Sequence, residues 1–314
     1  MAIPLLVILG PTATGKTDLA LALAREVDIE IISADSAMVY RMLDIGTAKP
    51  TPAQRREVPH HLIDIRDPDE DFTVAEFRTL AAEAIATTHG RGRLPVLVGG
   101  TGFYIRSLTR SLPFPPVKPN WELRRSLADL AAEKGNAYLH RRLAAVDPEA
   151  AARIHPNDLQ RVIRALEINH HRQQGGGDES SQPPPASPYK LVQIGLTMER
   201  EALYQRINRR SDQQLAAGWL DEVRAVLAAG YPPDCFGLQI LGYRHLTRFL
   251  LGELPWDEAV RQLKRDTRHF ARRQFTWFRR EEGVIWLDVG RMTQEQLLAA
   301  VLQQAAGELP LPSK

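Results

Sequence analysis

The chain has one cysteine, Cys235, and a single thiol excludes both an intrachain disulfide and a multi-cysteine zinc site. Long apolar runs are missing too. The N-terminal LLVILG gives way at once to a glycine loop, well short of the roughly twenty residues that cross a bilayer. Met1 to Pro4 carries no basic residue, so no secretory signal is expected there. A reducing, cytoplasmic setting without membrane attachment fits these absences. Acids are scarce in one place. Arg261 to Arg280 holds eight Lys or Arg and one acid, Asp266, a local charge of +7 in a chain whose total is +2. The remainder is mildly acidic, and a basic patch on such a body points to a polyanionic partner.

What is present is a soluble, globular composition, 44% hydrophobic and 25% charged over 314 residues, long enough for one large domain or a core with an insert. Ile3 to Leu9, Glu30 to Ala34, Leu94 to Val98, Leu191 to Leu196 and Val284 to Val289 read as buried strands. Amphipathic helical patterns such as Lys16 to Glu26 and Val74 to Thr88 lie between them. This alternation predicts an α/β fold, a parallel sheet with helices on both faces. It is interrupted after Leu112 by the proline-dense PFPPVKPN and three helical patterns without a strand, Trp121 to Lys134, Ala137 to Val146 and Leu159 to His171. QQGGGDESSQPPPASP follows, almost without apolar residues, and is expected to be a flexible loop. The expected organisation is a first core segment (1–112), a helical insertion (113–172), a loop (173–188) and a second core segment (189–314). No repeat is evident, and nothing in the sequence demands a dimer, so a monomer is expected.

GPTATGKT, Gly10 to Thr17, sits between an expected strand and an expected helix, as a phosphate-wrapping loop requires. Gly10 and Gly15 permit the turn that aims backbone N–H groups inward. Lys16 offers a point charge to phosphate oxygens, Thr17 a hydroxyl for Mg2+, and the helix its positive N-terminus. The rest of a nucleotide hydrolase is absent. There is no Asn-Lys-x-Asp, and Leu94 to Val98 ends in GGTG rather than in the acid that completes an ATP-hydrolysing site. Asp35 follows the second strand, at the carboxyl edge where such sheets bind ligands. It is suited to act as a general base, and equally to cap a helix or to hydrogen-bond to magnesium's waters. Thr101 either donates to the same phosphates or is an ordinary turn threonine.

On a helical wheel Arg261, Arg265, Arg268, Arg272 and Arg279 form one stripe, with Phe270, Trp277 and Phe278 opposite. A phosphodiester backbone calls for such a stripe, because each contact releases counterions; a solvated charged face is the plainer alternative. In HPNDLQRVIRALE, Leu159, Val162, Ile163 and Leu166 make an apolar face and Gln160, Arg161, Arg164 and Glu167 point away, with Asn157 or Asp158 as cap. Two readings remain on these grounds: a P-loop small-molecule kinase, or an enzyme that uses the loop for a phosphorylated donor while gripping a nucleic acid. The basic helix and the insertion favour the second.

GPTATGKT, ISADSAMVYRMLDIGTAKP, HHLIDI, VGGTGFYIRSL, HPNDLQRVIRALE, ILGYR and RRQFTWFRR occur here in one order. In these stretches the chain resembles the bacterial tRNA dimethylallyltransferase (tRNA isopentenyltransferase) family, from residue 3 to about residue 290. The resemblance implies a P-loop NTPase-like core with a helical insertion that clasps the anticodon stem-loop of tRNA. It also implies Mg2+-dependent transfer of a dimethylallyl group from dimethylallyl diphosphate to N6 of the adenine 3′ of the anticodon, without consumption of ATP. Asp35 then matches the general base, Lys16 and Thr101 the groups at the reacting centre, and Thr17 the metal ligand. Gly10, Pro11, Thr12, Ala13, Thr14, Gly15, Lys16, Thr17 and Arg210 match the donor diphosphate site. For tRNA the resemblance points to Asp35, Ser36, Ala37, Met38, Thr101 and Arg124, and to Gln160, Arg161, Val162, Ile163 and Arg164 in the insertion. It adds Gln239, Gly242, Tyr243, Arg244, Arg272, Arg273, Gln274, Thr276, Trp277 and Arg279. Two departures stand out: GFY where the family has GLY, a conservative apolar change, and Gln239 where the family has a small or basic residue.

Overall fold

The computed structural model describes residues 2–110, 117, 119–174 and 187–314. The chain divides into two compact units, Met1–Ser111 with Ala186–Lys314, and Leu112–Pro185. In the first, strands β1 (Ile3–Leu9), β2 (Ile29–Ala34), β3 (His60–His61), β4 (Leu94–Gly99), β5 (Tyr189–Thr197) and β6 (Val284–Asp288) form one sheet. Their order is β3-β2-β4-β1-β5-β6, and every pairing is parallel. Leu6 and Ile8 of β1 pack toward Leu19 and Leu23 of the helix Lys16–Leu23 and Val301 of the helix Gln294–Glu308. Leu5, Val7 and Leu9 pack toward Phe77 and Ile85 of the helix Val74–Gly90 on the other face. A strand covered on both faces needs an apolar side chain at every position. That requirement makes β1 and β4 unbroken apolar runs, and the predicted architecture is the observed one.

The sequence conceals β3. Its two residues pair with Ile31 and Ile32 at the edge of β2, too few to show a period, and so short an edge strand limits pairing with other chains. His61 Nε2 lies 2.6 Å from a carboxylate oxygen of the fully buried Glu30. Burial pushes the Glu30 carboxyl up, but hydrogen bonds from His61, Arg93, Arg91 and Thr88 outweigh it and bring the pKa down to about 2.

The second unit packs the helices Trp121–Lys134, Asn136–Val146, Pro148–Arg153 and Leu159–Gln173 around Leu127, Leu139, Leu143, Val162 and Leu166. Pro148–Arg153 was not expected. It is six residues long, capped by Asp147 with a proline in its first turn, and has no length in which an apolar period could register. Residues 113–116, 118 and 175–186, which include most of the proline-dense connector and of the expected 173–188 loop, lie outside the described residues.

In the first unit a further core forms beside the sheet, around Trp219 and Tyr243, and it shapes the loop DIGTAKP. Glu222 accepts the backbone N–H groups of Asp44, Ile45 and Gly46 at 2.8, 2.7 and 3.2 Å. Gln214 Nε2 donates to the carbonyls of Ile45 and Gly46 at 2.6 and 3.0 Å. Lys49 Nζ, buried, donates to Tyr40 O, Asp44 and Asp64 at 2.5, 2.7 and 2.6 Å. The Trp219 indole, 3% exposed, lies against two glycines from separate segments. A Cβ at Gly46 would come within 2.1 Å of its ring, and one at Gly242 within 2.2 Å.

Gly242 and Gly230 share a φ of +93°, but a Cβ at Gly230 would meet nothing within 4 Å. Gly230→Ala is therefore expected to cost about 1–2 kcal/mol, the penalty of a left-handed backbone alone. Gly242→Ala should cost clearly more, because Trp219 must also move. Urea unfolding of the two variants measures the difference, and equal midpoints would mean that the indole yields freely.

Candidate active site

The phosphate loop joins β1 to the helix Lys16–Leu23 at the carboxyl edge of the sheet. Gly10 (φ +145°) is required there, since a Cβ would lie 2.6 Å from the carbonyl oxygen of Leu196 on the neighbouring strand β5. Gly15 turns left-handed at φ +88° to start the helix, and Ala13 does so at φ +66°. That conformation costs a side-chain-bearing residue roughly 1–2 kcal/mol. Thr14 Oγ1 braces the loop by donating to Pro11 O at 2.9 Å. Lys16 folds back on the loop and donates to the carbonyls of Gly10 and Pro11 at 3.0 and 2.7 Å. Burial lowers its pKa to about 8, with Asp35 pulling it up and Arg210 pushing it further down.

Two cavities meet beside this loop. The larger, about 540 Å3, is walled by Gly15, Lys16 and Thr17, by Met38, and by Arg206, Arg209 and Arg210 of the helix Arg200–Ala216. The smaller, about 260 Å3, is walled by Ser36, Ala37 and Thr101, with Trp219 and Phe270. Thr12, Ala13, Asp35, Thr47 and Arg210 line both. Asp35 thus stands where they join, its Oδ1 fixed by the Ala37 N–H at 2.8 Å. Thr101 Oγ1 accepts the Ser36 N–H at 3.1 Å, which laces the loop after β2 to the loop after β4. Burial pushes the Arg210 pKa down, against the pull of Asp35 and Asp18. The sequence reading missed Arg206 and Arg209, although the spacing in QRINRRSD would have placed both on the face of Arg210. It also missed Trp219, Glu222 and Gln214, whose partners are remote in sequence.

Several residues assigned to tRNA face other partners. Gln274 is 7% exposed. Its Oε1 accepts the Thr12 N–H and its Nε2 donates to Gly100 O, both at 2.9 Å, so it ties the phosphate loop to the Thr101 loop. Tyr243 is fully buried, its hydroxyl donating to Glu222 at 2.6 Å, and Gly242 lies against Trp219. Val162 and Ile163 are core residues of the helical unit. Glu167, expected on the outward face, is instead buried, because Arg124 and Arg164 both grip it and it also accepts the Asn120 N–H at 2.6 Å. Burial pushes the Glu167 carboxyl up, and these donors together hold it below the ordinary range. Gln160 and Arg161 are exposed, as is Gln239, whose Nε2 donates to Pro233 O at 3.0 Å.

The arginine stripe divides in two. Along the long helix Trp256–Phe278, Arg261 pairs with Glu258, Arg265 with Asp266 and Lys264 with Asp212, while Arg268 donates to Asn208 at 2.7 Å. Most of these partners lie outside the 261–280 window, which made this half look unpaired. Asp266 also receives Arg244 at 3.1 Å. Toward the C-terminal end Arg272, Arg273, Thr276 and Arg279 are exposed. Arg273 and Arg279 lie over Phe270 and Phe275 at 5.9 and 4.1 Å. Trp277 is half-buried, with the Arg106 guanidinium 4.5 Å from its ring.

Comparison with known proteins agrees along the chain. The family model described as IPP transferase matches residues 38–281. The tRNA dimethylallyltransferase of Symbiobacterium thermophilum is 52% identical over 289 residues, covering 92% of this chain and 90% of that one. The crystal structure of a tRNA isopentenylpyrophosphate transferase from Bacillus halodurans superposes with a TM-score of 0.72 at 42% identity, over 97% of this chain and 96% of that one. A eukaryotic dimethylallyltransferase described as acting on tRNA gives 0.78 at 25% identity, over 99% and 81%. A P-loop core of this topology, two cavities joined at an aspartate, and likeness of this extent have one reading: the chain belongs to the IPP transferase family, among the tRNA dimethylallyltransferases.

Proposed function

We propose that this protein transfers a dimethylallyl group from dimethylallyl diphosphate to N6 of the adenine immediately 3′ of the anticodon in tRNA, releasing diphosphate, as a cytoplasmic monomer. The observation that carries this is the junction at Asp35 of a cationic phosphate cavity and a smaller one walled by Thr101 and Trp219. The donor's diphosphate would lie on the loop and the adenine would enter the smaller cavity. The adenine is stacked in the anticodon loop and must be flipped out to arrive there. Its exocyclic amine is a poor nucleophile, because the lone pair is delocalised into the ring. As N6 bonds to the allylic carbon, that carbon's bond to oxygen breaks, diphosphate leaves with the electron pair, and the N6 proton passes to Asp35. Lys16, Arg210 and the loop N–H groups stabilise the charge that grows on the leaving oxygens.

Among the described residues no three His, Cys, Asp or Glu gather to hold a metal. Thr17 lines the donor cavity, and one hydroxyl beside a diphosphate suits Mg2+, which takes most of its ligands from substrate phosphates and water. When bound there, Mg2+ would neutralise part of the diphosphate charge, with Thr17 as the residue holding it. Among the described residues no helix is long and apolar enough to cross a membrane.

Incubation with Mg2+, unmodified tRNA and radiolabelled dimethylallyl diphosphate is expected to put label into tRNA without ATP hydrolysis. ATP turnover driven by a small molecule, with unlabelled tRNA, would return the protein to the kinase class. Asp35→Ala should lower transfer about 10²–10⁴-fold and leave tRNA affinity within a few-fold; a binding loss as large as the rate loss would sink its role as base.

The Lys16 pKa gives a pH dependence of known sign. Diphosphate favours the ammonium and raises that pKa above about 8. Below pH 8 the lysine is already charged and adds no slope. Above it each bound diphosphate takes up as much as one proton, so affinity falls by up to about tenfold per pH unit. Calorimetry with inorganic diphosphate from pH 7 to 9.5 is expected to show this slope, and to lose it in Lys16→Met. A flat profile would remove Lys16 from the site.

A further inference from the structure

The helix Arg200–Ala216 turns one face to the smaller cavity. Ile207, Arg210, Ser211 and Gln214 all line it, and their spacing is that of a single helical stripe. Ile207 is buried apolar wall, and Arg210 reaches the larger cavity as well. The Ser211 hydroxyl donates to Ile207 O in its own helix at 3.0 Å. Thr267, a wall residue from the helix Trp256–Phe278, donates to Leu263 O at 2.8 Å in the same manner. A hydroxyl spent in this way has no hydrogen left for a ligand. Gln214 differs, because its amide is clamped at one end only. Nε2 donates to the carbonyls of Ile45 and Gly46 at 2.6 and 3.0 Å, and Gly46 is itself a wall of this cavity. Carbonyls accept from the NH2 of an amide and not from its oxygen, so the pair fixes which end of the side chain is which. Their loop is held in turn by Glu222. Oε1 is thereby oriented, and it has no donor of its own among the described residues. The half-buried Gln214 thus brings an immobilised acceptor to the cavity it lines. Asp35 is in a similar condition: Oδ1 is taken by the Ala37 N–H, and Oδ2 meets no donor among the described residues.

We infer that Gln214 is a specificity-determining residue, whose Oε1 accepts the N6 hydrogen of the target adenine that the transfer leaves in place. The inference rests on the acceptor proposed above. An exocyclic amino group carries two hydrogens in the plane of its base and offers its attacking electrons perpendicular to that plane. One hydrogen passes to Asp35 as the new bond forms. The other stays on N6 in the product, and inside a desolvated cavity it needs an acceptor. Held by both oxygens, the amino group keeps one plane and leaves its electrons to the allylic carbon. A base with a keto oxygen in place of the amino group would oppose two acceptors, so the same pair rejects it.

The test compares an anticodon stem-loop RNA carrying adenine at the target position with one carrying unsubstituted purine there, which keeps the ring and lacks the amino group. The Kd of each RNA is measured for the wild type and for Gln214→Met and Gln214→Leu, which keep apolar bulk and remove the amide. The adenine RNA is expected to bind both variants about five- to tenfold more weakly than the wild type, the size of one neutral hydrogen bond. The purine RNA should bind variants and wild type alike, because the amide and the amino group act as one contact. Inorganic diphosphate should bind both variants as it binds the wild type, which reports an intact phosphate loop. A penalty of equal size with the two RNAs assigns Gln214 to bracing the loop at Ile45 and Gly46 and overturns the inference. An unchanged affinity for the adenine RNA overturns it too, and in both cases transfer to RNA by the wild type still stands. Absence of transfer by the wild type overturns the acceptor itself, and this contact with it.

Discussion

Two substrates held on different loops react only if those loops keep their distance, and here one buried amide sets it. Gln274 accepts from Thr12 in the phosphate loop and donates to Gly100 beside Thr101. Its side chain fills the space that a Cβ at Gly100 would need, 2.3 Å from Nε2. The glycine is there for the glutamine, and the glutamine for the two loops. Because Gln274 also belongs to the helix that presents Arg272 and Arg273, the cationic surface and the phosphate loop are tied through one side chain. Thr101 adds a second tie through Ser36, which brings the loop after β2, and with it Asp35, into the same frame.

The charges follow a division of labour. Carboxylates that anchor structure are surrounded by donors: Glu222 by three backbone N–H groups and a phenol, Glu167 by two arginines and a backbone N–H. The cations beside the phosphate loop are treated in the opposite way. Lys16 and Arg210 are half-buried in the wall of one cavity, and desolvation there drives both toward lower pKa values. On the function proposed above, the donor's diphosphate supplies the charge that offsets this desolvation.

How much of this was visible in the sequence depends on how local each interaction is. β1 and β4 were legible because burial on two faces leaves a continuous apolar run, and GPTATGKT because its turn chemistry is complete within eight residues. Asp35 stood out through its place after β2, but its meeting with Arg210 needed the fold. Gln274 and Tyr243, which the resemblance points toward RNA, have internal partners that the sequence hides for a physical reason: a polar side chain looks solvent-facing until its partners are known, and Thr12 and Glu222 are distant in sequence. The paired half of the arginine stripe misled in the same way, since Asp212 lies on a different helix from Lys264. In the helical unit Val162 and Ile163 had been read correctly as an apolar face from periodicity, and it was the resemblance that turned them toward RNA.

The grip of Gly46 and Gly242 on Trp219 has an evolutionary consequence. Three positions far apart in the chain share one small volume, so none can enlarge or shrink alone without leaving a clash or a void beside the junction at Asp35. A drifting lineage would have to change them in concert, through intermediates less fit than either end. Such a triad is expected to be inherited as a block, and its members to show strong epistasis when exchanged singly between relatives.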